Sequence, residues 1–188
     1  GADKQFIVAL NKKDGTTKWL HRRAFDFGTD NPDRKKGYGT PSVFKIGGQT
    51  QLIAPAAVAT EALDAATGKL LWTARTGGMN ASGRPLFGDG LFFINNGMGS
   101  LAAVKPGKGN LELAWSSRRN IPRKSSLILH GDHLFMVADN GVASCMAAKT
   151  GKVLWSERLG AGEFAASPIL CRDRIHCFSL NGSTVAFA

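Results

Sequence analysis

The sequence predicts an all-β fold, a β-propeller of four-stranded antiparallel blades, and three observations predict it. The first is a recurring phrase: residues 9–19 read ALNKKDGTTKW, 62–72 read ALDAATGKLLW and 145–155 read CMAAKTGKVLW. In each, a small residue (Ala9, Ala62, Cys145) stands ten positions before a Trp (Trp19, Trp72, Trp155), and a Gly (Gly15, Gly68, Gly151) stands four before it. A looser copy, AVKPGKGNLELAW, ends on Trp115 and carries two extra residues. The second observation is spacing: the Trp residues lie 53, 43 and 40 positions apart, and a period of about 40 marks a repeat architecture. The third is texture. Of 188 residues 23 are Gly, set between short alternating apolar runs, which is the pattern of hairpins.

Each element follows from this plan, with strands named A (inner) to D (outer). The chain opens in FIVAL, a C strand, and the first Trp phrase completes a partial blade over residues 1–23. A full blade is expected over 38–76. The next, over 82–117, reads PLFGDG, LFFINNG, SLAAVKP, LELAW, and a third, over 124–158, reads SLILHGD, HLFMVADN, GVASCMAA, KVLW. A partial blade over 165–188 reads SPILCRD, RIHCFSL, STVAFA and stops in another C strand. Blades of this kind usually close into rings of about 4–8, so the chain reads as about half of a 7–8-bladed ring. Self-association of two copies through their incomplete blades is one alternative, and closure of a four-bladed ring is the other.

Within the phrase, the Gly supplies the positive φ of the turn from strand C to strand D. Asn11 and Asp64 are placed to accept backbone hydrogen bonds there. The small residue leaves room for the indole to fold back, holding blade to blade. The third blade loosens this turn with Pro106 and Gly107.

Composition excludes several classes. No apolar run approaches the ~20 residues that span a bilayer, and the opening GADKQ carries no signal-peptide pattern. The three cysteines, Cys145, Cys171 and Cys177, give no disulfide framework. A two-residue Arg172-Asp173 turn would set Cys171 against Arg174 instead of Cys177, so buried free thiols are expected. The net charge is +10, which suits an acidic partner or polyanion as well as plain solubility.

The phrase A-x-[DN]-x-x-[TD]-G-x-x-x-W resembles the tryptophan-docking motif of the pyrroloquinoline quinone (PQQ) propeller repeat. That family includes quinoprotein dehydrogenases and BamB-like outer-membrane protein assembly lipoproteins, and the resemblance covers nearly the whole chain. No Trp here precedes an Asp, as WD40 repeats require, and the regular Gly-Gly doublets of kelch repeats are missing. The resemblance implies a soluble, periplasmic or otherwise extracytoplasmic protein. In the family's dehydrogenases the quinone lies between a Trp floor and a disulfide of adjacent cysteines, with calcium and a catalytic Asp beside it. This sequence has no adjacent cysteines, and all four Trp belong to the docking phrases. No cofactor is therefore expected. PQQ and calcium enter only if the chain is part of a quinoprotein dehydrogenase.

Other candidate chemistry is sparse. His130 and His133 flank a Gly131-Asp132 turn, a spacing that ordinary turn chemistry explains as well as a metal does. The acidic loop DFGTDNPD (26–33) lacks the Gly and distal Glu spacing of an EF-hand loop, and reads as a solvated interblade loop. No nucleophile elbow or phosphate loop is present, so neither catalytic nor metal-ligating residues are assigned. Ser125, Ser126 and Ser167 begin inner strands and read as fits to a crowded channel mouth. The loops from strand D to the next strand A carry Arg22, Arg23, Arg34, Lys35, Lys36, Arg75, Arg118, Arg119, Arg123 and Lys124. The C-to-D turns on the opposite face are basic too. The expected function is a non-catalytic scaffold that binds a protein or peptide, or an acidic ligand, on the D-to-A face. Its candidate contact residues are Tyr38, Asn80, Arg118, Arg119, Arg123 and Lys124. A polyanion- or polysaccharide-binding propeller is the further alternative, although nucleic acid would call for more interleaved aromatic residues.

Overall fold

A computed structural model of the chain describes residues 5–80, 82–98 and 100–188. Residues 1–4, where the first partial blade was expected to begin, lie outside the described residues. The remainder is all-β, with a single short 3-10 turn at Pro32–Lys35. Strands β1 (Phe6–Leu10) and β2 (Thr17–Arg22) pair antiparallel. The second sheet holds β3 (Ser42–Ile46), β4 (Gln49–Pro55), β5 (Thr60–Asp64) and β6 (Leu70–Ala74). The third begins with β7 (Leu86–Gly88), β8 (Leu91–Asn95) and β9 (Leu101–Val104); after the short β10 (Gly109–Leu111), β11 (Leu113–Ser117) completes it. The fourth holds β12 (Ile128–His130), β13 (His133–Val137), β14 (Val142–Ala147) and β15 (Val153–Arg158). The fifth holds β16 (Ile169–Cys171), β17 (Arg174–Phe178) and β18 (Thr184–Phe187).

The core lies between sheets. Ile53, Ala62 and Trp72 of the second sheet pack on Phe92, Ile94 and Val104 of the third. Leu86, Phe93 and Leu101 of the third meet Leu134, Met136 and Met146 of the fourth. Val137 and Ala143 of the fourth meet Ile175 and Cys177 of the fifth. The third and fourth sheets thus bury both faces against their neighbours, and this explains the near-continuous apolar runs of β8 and β9, every residue of which is buried.

The recurring phrase has a recurring geometry. Ala9, Ala62, Ala103 and Cys145 stand opposite Trp19, Trp72, Trp115 and Trp155, and the register shifts beside each pair. The regular turns repeat one backbone pattern, in which Gly15, Gly68 and Gly151 donate to the carbonyls of Asn11, Asp64 and Ala147. Asp64 Oδ1 also accepts from the amides of Ala66 and Thr67 and from the Thr67 hydroxyl. Hydrogen bonds from Thr67 and Gln49 hold its carboxyl below the usual carboxylate range. Ala147 offers no side-chain acceptor, so in that copy the backbone pattern closes the turn with the Thr150 hydroxyl, which accepts from the Lys152 amide at 3.3 Å.

Two indoles reach the next blade. Trp19 Nε1 donates to Ala65 O at 3.2 Å and Trp115 Nε1 to Ala148 O at 2.9 Å, both acceptors lying in the following C-to-D turn. Each ring covers the Gly of that turn. A Cβ on Gly68 would fall 2.5 Å from Trp19 Cε3, and one on Gly151 would fall 2.6 Å from Trp115 Cε3. The Gly is therefore required twice, for a φ of +73° or +70° and for the face it leaves open. Gly68→Ala and Gly151→Ala are each expected to cost more than ~1 kcal/mol, read as a lowered urea midpoint. Gly15→Ala, where no atom lies within 4 Å of the added Cβ, should cost less than either.

The loosened copy behaves differently. Its extra residues form β10, which pairs parallel to the outer edge of β6, with Gly109 opposite Trp72. The turn expected to be merely slack is therefore an edge cover for the preceding sheet. With no glycine turn to lie on, Trp72 is fully buried, donates to Gln51 Oε1 at 3.1 Å and packs 5.4 Å from Phe92.

One thiol departs from expectation. Cys171 pairs with Arg174 in the hairpin register but is exposed, whereas Cys145 and Cys177 are buried; all three are free. Burial pushes the Cys177 thiol up to about 11. Cys171 is exposed because it ends a three-residue strand at the hairpin turn, where no neighbouring sheet covers it. No helix among the described residues is long and apolar enough to cross a membrane.

Candidate functional site

The B-to-C turns and D-to-A loops share one face of the sheets, and hydrogen bonds brace them to one another. Asn80 N donates to Lys36 O at 2.9 Å, tying two successive D-to-A loops together. Arg123 N donates to Asp139 Oδ1 at 2.9 Å, tying the loop before β12 to the turn after β13. Ser100 Oγ donates to Thr76 O at 2.8 Å, and Asn96 Nδ2 donates to Gly77 O.

Two cavities open among these loops. One of about 520 Å³ is lined by Asp33, Lys36, Tyr38, Asn80, Ser82, Met98, Arg123 and Lys124. The other, of about 500 Å³, includes Met98, Arg118, Asn120, Arg123, Lys124, Asp139 and Glu163. Four of the six sequence candidates, Tyr38, Asn80, Arg123 and Lys124, thus meet in one cavity, and Arg118 joins the neighbouring one. Arg119 lines neither.

Several bases expected on this face are committed elsewhere. Arg23 turns inward, with its side chain 7% exposed, and meets the buried Glu61 of β5 at 3.2 Å. It also donates to Ala54 O and Pro55 O and lies over the Phe25 ring. Burial lowers the Arg23 pKa, and the Glu61 charge opposes that shift. His21 Nε2 sits 3.3 Å from the same Glu61 oxygen. Arg23 is therefore a clasp between the first two sheets and no part of the basic D-to-A loop face. Arg75 donates to Asp26 O at 3.2 Å, and Lys36 pairs with Asp33 at 2.5 Å. Asp26 and Asn31 of the acidic loop accept local backbone hydrogen bonds from Gly28 and Asp33.

Met98 and Asn120 are site residues that the sequence reading missed. Both have positive φ, as does Asn80, at 46°, 52° and 55° respectively. Asn120 carried a signal, since Asn tolerates this conformation and here precedes Ile121-Pro122. Met98, set between glycines, carried none. Asp139 and Glu163 arrive from distant sequence, and only the stacking of sheets brings them here.

A third cavity, of about 930 Å³, runs along the inner strands and is lined by Thr40, Arg84, Ser126 and Ser167 among others. Its serines tie blade to blade: Arg84 N donates to Ser126 Oγ at 3.2 Å and Ser126 N to Ser167 Oγ at 2.9 Å. His130 and His133 face each other in the hairpin register, and His133 Nδ1 lies 2.7 Å from Asp132. Among the described residues no three His, Cys, Asp or Glu side chains gather as a metal group.

Known proteins share this fold. The family model described as outer membrane protein assembly factor BamB matches residues 2–157 and again 112–188. Among solved structures, BamB from Moraxella catarrhalis superposes with a TM-score of 0.63 at 14% identity, over 92% of this chain and 50% of that one. A europium-containing methanol dehydrogenase gives 0.66 at 12% identity, over 98% of this chain and 44% of that one. The computationally designed Ika4 protein gives 0.63 at 15% identity, over 79% and 91%. The chain thus spans about half the length of the two natural proteins, and at these identities the likeness speaks for the fold. No curated protein matches it in sequence. With the family model covering the repeats from end to end, the chain belongs to the BamB-like family of PQQ-type β-propellers.

Proposed function

We propose that the chain is a non-catalytic propeller scaffold that binds a protein partner through its D-to-A loop face, in outer-membrane protein assembly and in the periplasm. The observation that carries this reading is the braced loop face itself. It gathers Tyr38, Asn80, Arg118, Arg123 and Lys124 around two adjoining cavities. Membership in a family described by an assembly factor supports the role and the location.

The residues present do not fit the quinone site of the family's dehydrogenases. Trp19 and Trp115 lie on the turns of the following blade, Trp72 is buried beneath β10, and Trp155 packs edge-on against Phe187 at 5.6 Å. The three thiols are free and none is adjacent to another. No redox step is therefore assigned to this chain.

A photo-crosslinking residue placed at Asn80 or Arg118 of the intact protein is expected to yield a discrete protein adduct in the cell envelope. One at Lys149, on the opposite face, is expected to yield none. Adducts from both faces alike, or dye-linked alcohol oxidation after addition of PQQ and calcium, would overturn the reading.

A further inference from the structure

We propose that the two loop-face cavities, joined at Met98, Arg123 and Lys124, form one bipartite site for an acidic, apolar-anchored peptide segment of the partner. A carboxylate would sit on Arg123 and Lys124, and the adjoining apolar side chain between Tyr38 and Met98. The inference rests on the scaffold reading and names the chemistry of its ligand.

Charge carries the first part. The first cavity sets Lys36, Arg123 and Lys124 against Asp33, and Lys36 already pairs with that acid. The second sets Arg118, Arg123 and Lys124 against Asp139 and Glu163, and Asp139 already accepts from the Arg123 amide. Among the described residues the Arg123 and Lys124 side chains enter no ion pair, unlike Arg23 and Lys36. The wall common to both cavities is therefore a pair of adjacent exposed cations on a loop whose backbone is pinned at the Arg123 amide, so a carboxylate would meet two charges carried by a fixed main chain.

Apolar exposure carries the second part. Tyr38 and Met98 are 63% and 49% exposed and line the same cavity. A flexible thioether beside a rigid phenol suits one inserted apolar side chain. Asn80, Met98 and Asn120, all at positive φ, line these two cavities. Backbone of this kind persists only where its surroundings hold it, and it concentrates at binding sites.

A peptide fits these features better than a uniform polyanion does. Asp33, Asp139 and Glu163 interrupt the basic surface and would repel an evenly charged chain, whereas a peptide can place its carboxylates between them. The cavities also offer one exposed aromatic platform, Tyr38, since Phe164 at the edge of the second is only 2% exposed, and no series of them for stacking.

The test is fluorescence polarisation of the full chain with a short fluorescein-labelled peptide carrying Asp-Phe pairs. The same peptide with Ala for Phe, the same with Lys for Asp, and heparin serve as comparisons. Saturable binding is expected, weakened by either peptide change. R123A/K124A should weaken it about tenfold, the scale for losing two exposed charge contacts, and Y38A should weaken it with unchanged charge. R119A, outside both cavities, should leave it as it was. Circular dichroism of each variant shows that the fold is kept. Absence of saturable binding would overturn the proposal, as would binding indifferent to both R123A/K124A and Y38A. So would heparin binding that displaces a peptide whose Phe is dispensable, which would mark a polyanion surface. If loop-face crosslinks persist while the peptide fails to bind, the scaffold role stands and this ligand chemistry falls. If neither face crosslinks, the scaffold role itself falls.

Discussion

Trp72→Ala is expected to destabilise the chain by about 3–5 kcal/mol, more than the same change at any other Trp. The indole is fully buried between the second and third sheets and packs on Phe92. Its removal leaves a cavity the size of a large aromatic ring in a region where both backbones are fixed by sheet hydrogen bonds. It also strands Gln51 Oε1, which is buried and accepts from the indole, and an unpaired buried acceptor moves the loss toward the upper end of that range. For a chain of this size the loss would lower Tm by roughly 6–20 °C. Urea and thermal unfolding of W72A, W19A, W115A and W155A, followed by circular dichroism, give the comparison. A W72A midpoint no lower than that of W155A would contradict the burial argument, because Trp155 is only half-buried.

Glu61→Ala is expected to cost a similar amount, about 3–5 kcal/mol, for an electrostatic reason. Glu61 is 2% exposed and faces Arg23, itself 7% exposed. Without the carboxylate, the guanidinium stays in the interface with only the Ala54 and Pro55 carbonyls as partners. An uncompensated buried charge is what makes breaking such a pair costly. Replacing both partners with apolar residues of similar size removes that penalty, so R23M/E61L should recover much of the loss. Thermal unfolding of E61A, R23M and the double variant closes a mutant cycle. An E61A loss below about 1 kcal/mol, the range of a surface pair, would show that water reaches the clasp.

These two positions also show how far the sequence could be read. Trp72 was legible as one of a repeated set, and its opposite number Ala62 and the register shift beside it match the other copies. Its distinct burial was not legible, because it depends on the lengthened turn of the next phrase, whose residues Gly109–Leu111 fold into β10 and cover β6. The sequence showed those residues as a looser turn. Nothing local says that a loop will pair with the previous sheet. Arg23 was read with the other bases of the D-to-A loops, since its neighbours His21 and Arg22 give no sign of burial. Only the approach of Glu61, thirty-eight positions on, turns it inward.

The same division runs through the candidate site. Tyr38, Asn80, Arg118, Arg123 and Lys124 could be placed on one face because repeat spacing fixes which loops share a side. Which of them converge could not be read, and Arg119, beside Arg118 in sequence, lines neither cavity. Met98, Asp139 and Glu163 enter from B-to-C turns and the final D-to-A loop, elements that carried no charge cluster to draw attention.

By itself the sequence determined the repeat, the strand order within each blade, the glycine turns and the side of the molecule on which the long loops lie. These depend on period and local backbone preference, which each repeat states independently and several times over. The tertiary structure alone decided which indole is buried, which arginine is a clasp and which loop residues share a cavity. Those outcomes depend on contacts between neighbouring blades, where one insertion or one buried carboxylate changes the partner and leaves the local pattern untouched.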